Sequence, residues 1–180
     1  MGLFREGELD RARERLPIFQ DAAASYRWPD ELNQAMQADL GADWMAWVLA
    51  GIDSRESHMG LALDEDGLGD AGHGHGEVQI DDRSHVGFCA SGAWRDLGAS
   101  LDYVHHNVII PAYNYLADRF GYFGQDYARL FWGAVAAYNC GPGNVVRAAA
   151  RGQDPDSRTA GGDYSADVRN RALALKEALA

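Results

Sequence analysis

Positive charge is scarce in this 180-residue chain: 16 Lys and Arg stand against 27 Asp and Glu, a formal net charge of −11. That balance argues against nucleic acid as a partner, because phosphates are neutralised by Lys and Arg. It also argues against long-range attraction to an anionic wall or membrane, and it fits a role in solubility. Cysteine is nearly absent. Cys89 and Cys140 lie far apart with no C-x-x-C spacing, so neither a zinc knuckle nor a dithiol redox motif is supported. Two buried thiols and one disulfide both stay open, and two cysteines do not assign a compartment. Long apolar runs are missing too. The longest, Trp44 to Ile52, is too short to span a bilayer, so no membrane insertion is expected. The first ten residues are charged and show no apolar h-region, so no signal peptide is visible. Glu6 stands where a myristoylation signal needs Ser or Thr. Export of a processed form stays open, and the localisation is left unassigned.

What is present suits a packed domain. Hydrophobic residues make up 47% of the chain and include five tryptophans, enough for a real core. Charged residues are 24%, too few to make disorder the default. One domain is expected over 1–180, with residues 1–36 as a helical N-terminal extension. No internal repeat is visible. Periodicity and breakers predict helices over 7–26, from near Pro29, over 40–57, over 96–120 with a kink or split at Pro111, over 125–138, over 144–150 and over 164–180. Residues 60–76 read as an ordered loop, Glu77 to Asp81 as a short strand, and the polar, Gly-rich stretch 152–163 as mobile. Trp44, Trp47, Phe131 and Trp132 are expected in the core.

The most informative segment follows the apolar run. Trp44, Val48, Ile52 and Glu56 are spaced four apart, so on a helix they form one slowly drifting stripe. Glu56 then continues an apolar face. Burial of that kind disfavours the ionised form, and an acid still protonated near neutral pH can protonate a leaving group. A surface glutamate in the last turn of a core helix would look the same. Asp70 and Asp81 follow on the loop and at the end of the strand. Cleavage of a glycosidic bond needs one protonated acid and one charged carboxyl in a different environment, which this set supplies. Tyr138 and Asn139 precede Gly141-Pro142-Gly143, where a helix must stop. A phenol ring packs on sugar faces and a carboxamide both donates and accepts hydrogen bonds, although an ordinary helix end has the same pattern.

Gly51-Ile52-Asp53-Ser54-Arg55-Glu56-Ser57-His58-Met59-Gly60 resembles the catalytic-glutamate segment of goose-type lysozymes. Gly69-Asp70, Gly74, Gly76 and Gln79-Ile80-Asp81-Asp82-Arg83-Ser84-His85 are similar to the segment that follows in that family. Ala137-Tyr138-Asn139-Cys140-Gly141-Pro142-Gly143-Asn144-Val145 resembles the Tyr-Asn-Gly motif shared with lytic transglycosylases, and Asp163 to Val168 also looks related. The blocks occur in the family order. The resemblance implies an α+β, predominantly helical, lysozyme-like fold with a small antiparallel sheet beside a sugar cleft. It implies an inverting hydrolase acting on the β-1,4 bond between N-acetylmuramic acid and N-acetylglucosamine in bacterial peptidoglycan, with no cofactor; a monomer is expected, although the sequence does not reveal oligomeric state. By matched position, Glu56 would be the general acid, Asp81 and Asp70 would handle the water, and Tyr138, Asn139, Gln79 and His58 would lie near the sugar.

Departures and rivals accompany that reading. Glu77 and Val78 replace two apolar residues usual in the family, predicting a more polar cleft wall; His73 and His75 enter the glycine-rich loop; the family's N-terminal disulfides have no counterpart. A lytic transglycosylase shares the glutamate and the Tyr-Asn-Gly motif but lacks the paired aspartates. A non-catalytic wall-binding or virion module is the rival from another class. His73 and His75 with Asp70 and Asp66 raise a metal site, but unpaired histidines are common in such loops and none is expected. Asp64-Glu65-Asp66-Gly67 fails the calcium-loop pattern at Ala62 and His73. His58, His85, His105 and His106 read as structural or surface residues. Trp94 and the tyrosines between 113 and 127 are candidates for the groove.

Overall fold

Helix boundaries follow the breakers. In the computed structural model, which describes residues 2–179, helix α1 runs over Glu8–Ala24 and α2 over Asp30–Leu40. Pro29 separates them, since its ring cannot continue a helix and disfavours helical geometry in the residue before it. Gly41, at φ 77°, ends α2, so the apolar helix α3 starts at Trp44, later than the predicted residue 40, and runs to Ser57. His58 caps it in the left-handed conformation.

The glycine-rich stretch is more regular than its composition suggests. It carries β1 (Leu68–Gly69) and β2 (Gly74–His75), and β3 (Ile80–Asp81) completes an antiparallel sheet in the order β1-β2-β3. Leu68 pairs with His75 and Gly74 with Asp81. Strands this short show no alternation to read, so the loop expected over 60–76 carries two of the three strands. Glu77 to Gln79, expected as strand, form a turn instead. Gly69 and Gly74 leave the space that the Gln79 side chain occupies. A Cβ would fall 1.9 Å from the Gln79 Oε1 atom at the first and 2.2 Å at the second.

Short helix α4 (Val86–Ser91) follows, then α5 (Leu97–Val104), capped by Asp96, whose carboxylate accepts the Ala99 N–H at 2.7 Å. A π-helical stretch, His105–Ile109, leads into α6 (Ile110–Ala117). Pro111 lacks an amide hydrogen and crowds the preceding turn, and the widened turn just before it accommodates the ring. The predicted helix over 96–120 is thus three segments. Helix α7 (Tyr127–Cys140) stops at Gly141, α8 covers Pro142–Ala149, and α9 covers Tyr164–Leu179. Met1 and the predicted helix end, Ala180, lie outside the described residues.

Residues 152–163, read as mobile, are largely exposed but anchored by the buried Pro155, Asp156 and Thr159. They form 3₁₀ turns at Pro155–Arg158 and Ala160–Gly162. The buried Asp156 carboxylate accepts from the Ser165 N–H and Oγ, both at 2.8 Å, and from the Ala166 N–H at 3.0 Å. It therefore serves the free amides at the start of α9 and sets where that helix begins.

Helix α3 lies at the centre, against α9 and α1. Its Trp44, Trp47, Val48 and Ile52 join Phe131 of α7 and Val168 of α9 in one core, with Trp132 partly buried on its edge. Trp44 and Phe131 meet edge to face at 4.9 Å. The architecture is the predominantly helical α+β one with a small antiparallel sheet that the resemblance implies. Both cysteines are free thiols, so the disulfide alternative is not realised. Among the described residues no helix is long and apolar enough to cross a membrane.

Close approach of α3 and α9 depends on Gly51, where a Cβ would sit 2.6 Å from the Val168 carbonyl oxygen. Gly51→Ala should push the helices apart and cost about 2 kcal/mol, the usual scale for overpacking, read from urea unfolding. An unchanged midpoint would show that the contact is not tight.

Candidate active site

The last turn of α3 carries Glu56. Trp44, Val48 and Ile52 are buried as the stripe predicts, and Glu56 follows them, half-buried. Tyr164, the first residue of α9, donates its hydroxyl to Glu56 Oε1. Burial pushes the Glu56 carboxyl up to about 7, against smaller opposing effects of the Tyr164 hydrogen bond and of Arg55. Arg55 is turned toward α9, where it pairs with Asp167 at 2.8 Å and Asp163 at 3.2 Å. Tyr138 lies nearly parallel to Tyr164, with ring centroids 6.1 Å apart. It donates to the Val78 carbonyl and so pins the turn before β3. Burial raises both phenols well above their ordinary range, so both remain neutral donors.

Glu56, Asp70, Asp81, Gln79, Tyr138 and Asn139 line one cleft of about 310 Å³. This opens past Tyr138 and Asn139 into a groove of about 620 Å³ whose far side includes His85, Pro111 and Tyr115. Asp81 ends β3 in a setting opposite to that of Glu56. It is partly exposed and takes hydrogen bonds from Arg83, which hold its carboxyl below the usual range. Asp70 sits on a turn in which it and Ala71 adopt φ of 47° and 56°, strained for residues with a Cβ. Asn139 accepts the Ala160 N–H at 2.7 Å, which fixes its carboxamide orientation. Gln79, itself at φ 50°, donates to the Gly76 carbonyl at 2.7 Å. One acid with raised proton affinity and two carboxylates open to solvent thus share a cleft whose walls offer amide and phenol groups.

Several expectations are corrected. His58 is not brought to the cleft. Its left-handed cap geometry turns it toward α1, where Nδ1 lies 2.9 Å from the Glu8 Oε2 atom. Glu77 does not make the cleft wall polar. It faces away and pairs with Arg15, with Nη2 to Oε1 at 2.8 Å, while Val78 is fully buried. Trp94 is buried beneath Arg95, 4.1 Å from ring centroid to guanidinium, and does not line the Glu56 cleft. Of the tyrosines, Tyr115 lines the larger groove whereas Tyr113 is buried. His73 and His75 face Asp82, at 2.9 and 3.3 Å, rather than Asp66. Among the described residues no three metal-binding side chains converge.

Sequence reasoning missed Tyr164 and Arg83 as site residues, although both lie inside segments that carried the resemblance. It also missed the charges behind α3. Glu8 is fully buried and accepts from Ser54, with Arg171 3.8 Å away. Asp53 is pushed up to about 8 by burial and by the nearby Glu77 charge. No pattern marked Glu8, which stands among charged surface residues.

A family model described as "Lysozyme g" matches residues 36–178. The chain belongs to the lysozyme g family. Among its relatives, lysozyme g of Casuarius casuarius is 36% identical over 130 residues, covering 72% of this chain and 64% of the relative. Lysozyme g of Gallus gallus is 36% identical, covering 72% and 56%. Lysozyme g of Epinephelus coioides is 33% identical over 159 residues, covering 84% and 76%. The chain therefore spans less than two thirds of the length of the bird relatives it matches. The lysozyme g match contains every cleft residue named above, while α1 precedes it and braces the helix that bears Glu56.

Two predictions follow from the carboxyl's setting. Because the Tyr164 hydroxyl stabilises the carboxylate, Tyr164→Phe should move the Glu56 midpoint upward by about one pH unit in a carbon-detected NMR titration. A fall would show that the hydroxyl does not serve the charged form. The folded-state value lies above the unfolded one, so stability is fully present below about 4.5 and is lost as pH rises through about 7. Glu56→Gln should therefore stabilise the fold by about 3 kcal/mol at pH 8 and by little at pH 4, measured by urea unfolding.

Proposed function

We propose that this chain is a peptidoglycan hydrolase that cuts the β-1,4 bond between N-acetylmuramic acid and N-acetylglucosamine with inversion. The observation that carries the proposal is the pairing, in one cleft, of a largely buried Glu56 that keeps its proton near neutral pH with an Asp81 that stays charged. Family membership supports it, since the relatives bear the name lysozyme g.

In this reading a glycan strand lies along the cleft and the adjoining groove. Glu56 protonates the bridging oxygen, and its own charge as it forms is stabilised by the Tyr164 hydroxyl. Positive charge develops on the sugar ring beside the two aspartates. Asp81, aided by Asp70, orients a water and takes its proton as the water attacks from the opposite face, which requires the separated carboxyls of an inverting enzyme. Asn139 and Gln79 offer amide groups to the sugar's hydroxyl and N-acetyl substituents, and Tyr138 offers a ring face. The chain acts as a monomer and needs no cofactor in this scheme. The paired aspartates favour water over the muramyl C6 hydroxyl as nucleophile.

Digestion of purified peptidoglycan should release fragments with free reducing ends, identified by mass spectrometry. Mainly 1,6-anhydromuramyl ends would replace the hydrolase reading with a transglycosylase one. Glu56→Gln should lower the rate by roughly 10²–10⁴-fold while wall binding persists. Full activity in that variant would remove Glu56 from the mechanism, and binding without turnover by the unaltered chain would leave a wall-binding module.

A further inference from the structure

Arg83 enters the cleft and holds both aspartates. Its Nη2 donates to Asp70 Oδ2 at 2.8 Å and to Asp81 Oδ2 at 2.7 Å. Its Nε donates to Asp81 Oδ1 at 2.9 Å, and its main-chain N–H meets that same oxygen at 2.8 Å. A nitrogen shared between two carboxylates draws them together. Two carboxylates on one cation repel each other through solvent, and the cation between them offsets that repulsion. The guanidinium fork removes that conflict, and its planarity lets it serve two partners at fixed angles. Asp70 adds a second reason. It lies on a strained left-handed turn outside the sheet ladder, and Arg83 ties its side chain to the end of β3.

We propose that Arg83 is a positioning residue of the reaction: its fork binds Asp70 to Asp81 as one charged pair facing the same cleft as Glu56, so that protons are divided between acid and base before substrate arrives. This rests on the hydrolase reading and deepens it. Other charged or titratable groups around Asp81 are Asp82 on its own turn, His73 on the hairpin, Asp70 beyond it, and His85 and the Cys89 thiol on the side of α4. His73 acts in the same direction as Arg83 but more weakly. Both partners of the clamp are exposed, so in the free protein the ion pairs contribute little to stability. A glycan in the cleft excludes water and strengthens the same interactions where the reaction occurs. The clamp therefore acts on chemistry more than on folding.

Arg83→Gln and Arg83→Lys in the full chain test this with two independent readouts. Carbon-detected NMR of the aspartate carboxyls needs no turnover. In Arg83→Gln the Asp81 midpoint should rise by about one pH unit. Arg83→Lys keeps the charge but not the fork, so its shift should be smaller. In peptidoglycan digestion, Arg83→Gln should move the acid limb of kcat upward by about one unit with KM and the urea midpoint unchanged. An unaltered aspartate titration in Arg83→Gln would overturn the proposal, and so would a raised KM with an unmoved acid limb, which would make Arg83 a substrate contact. If the unaltered chain released no sugar, the hydrolase reading would fall, while the titration would still decide the clamp.

Discussion

Everything distinctive about this molecule depends on keeping one carboxyl, Glu56, away from bulk water and in contact with the Tyr164 hydroxyl. That constraint is set by packing. Glu56 ends a helix whose other turns are almost wholly buried, and the helix is clamped between α1 and α9. The absence of a side chain at Gly51 lets α9 approach closely enough for Tyr164, at its first turn, to reach the acid. The start of α9 is in turn placed by Asp156, buried in a stretch that looks featureless as sequence. A single hydrogen bond at the cleft thus depends on a glycine, a buried aspartate and two helices.

The two sides of the cleft are built on different principles. The Glu56 side is helical, apolar and stiff. The aspartate side is a small sheet with Gln79 lying over its glycines, left-handed turns at Asp70 and Gln79, and a cross-link through Arg83. Tyr138 joins the two sides, because it packs beside Tyr164 and donates to the turn before β3. Low dielectric on one side and exposed, cation-paired carboxylates on the other push proton affinities in opposite directions, which is the separation that acid–base cleavage of an acetal needs.

A second polar layer lies behind α3. Glu8, Ser54, His58 and Arg171 form one set, and Arg15 with Glu77 another. Buried charges are costly unless paired, and here each cationic partner comes from a different element. Helix α1, outside the segment that matches the lysozyme g family, supplies Glu8 and Arg15 and is thereby fastened to the helix that carries the acid. The polarity expected at Glu77 in the cleft is spent on this fastening instead.

How much of this was legible in the chain itself follows from the range of each interaction. The four-residue spacing from Trp44 to Glu56 and the breakers at Pro29 and Gly141 are local patterns, so the main helices could be read directly, while the resemblance carried by the ordered blocks around Glu56, Asp81 and Tyr138 implied the fold class and six cleft residues. Two-residue strands, the widened turn before Pro111 and the anchoring of the 152–163 segment through Asp156 left no periodic trace. The direction in which His58, Glu77 and Trp94 point, the contact of Tyr164 with Glu56, and the hold of Arg83 on two aspartates were decided only in three dimensions. Sequence spacing states which residues share an element, but a side chain's partners and its access to water depend on which distant elements close around it.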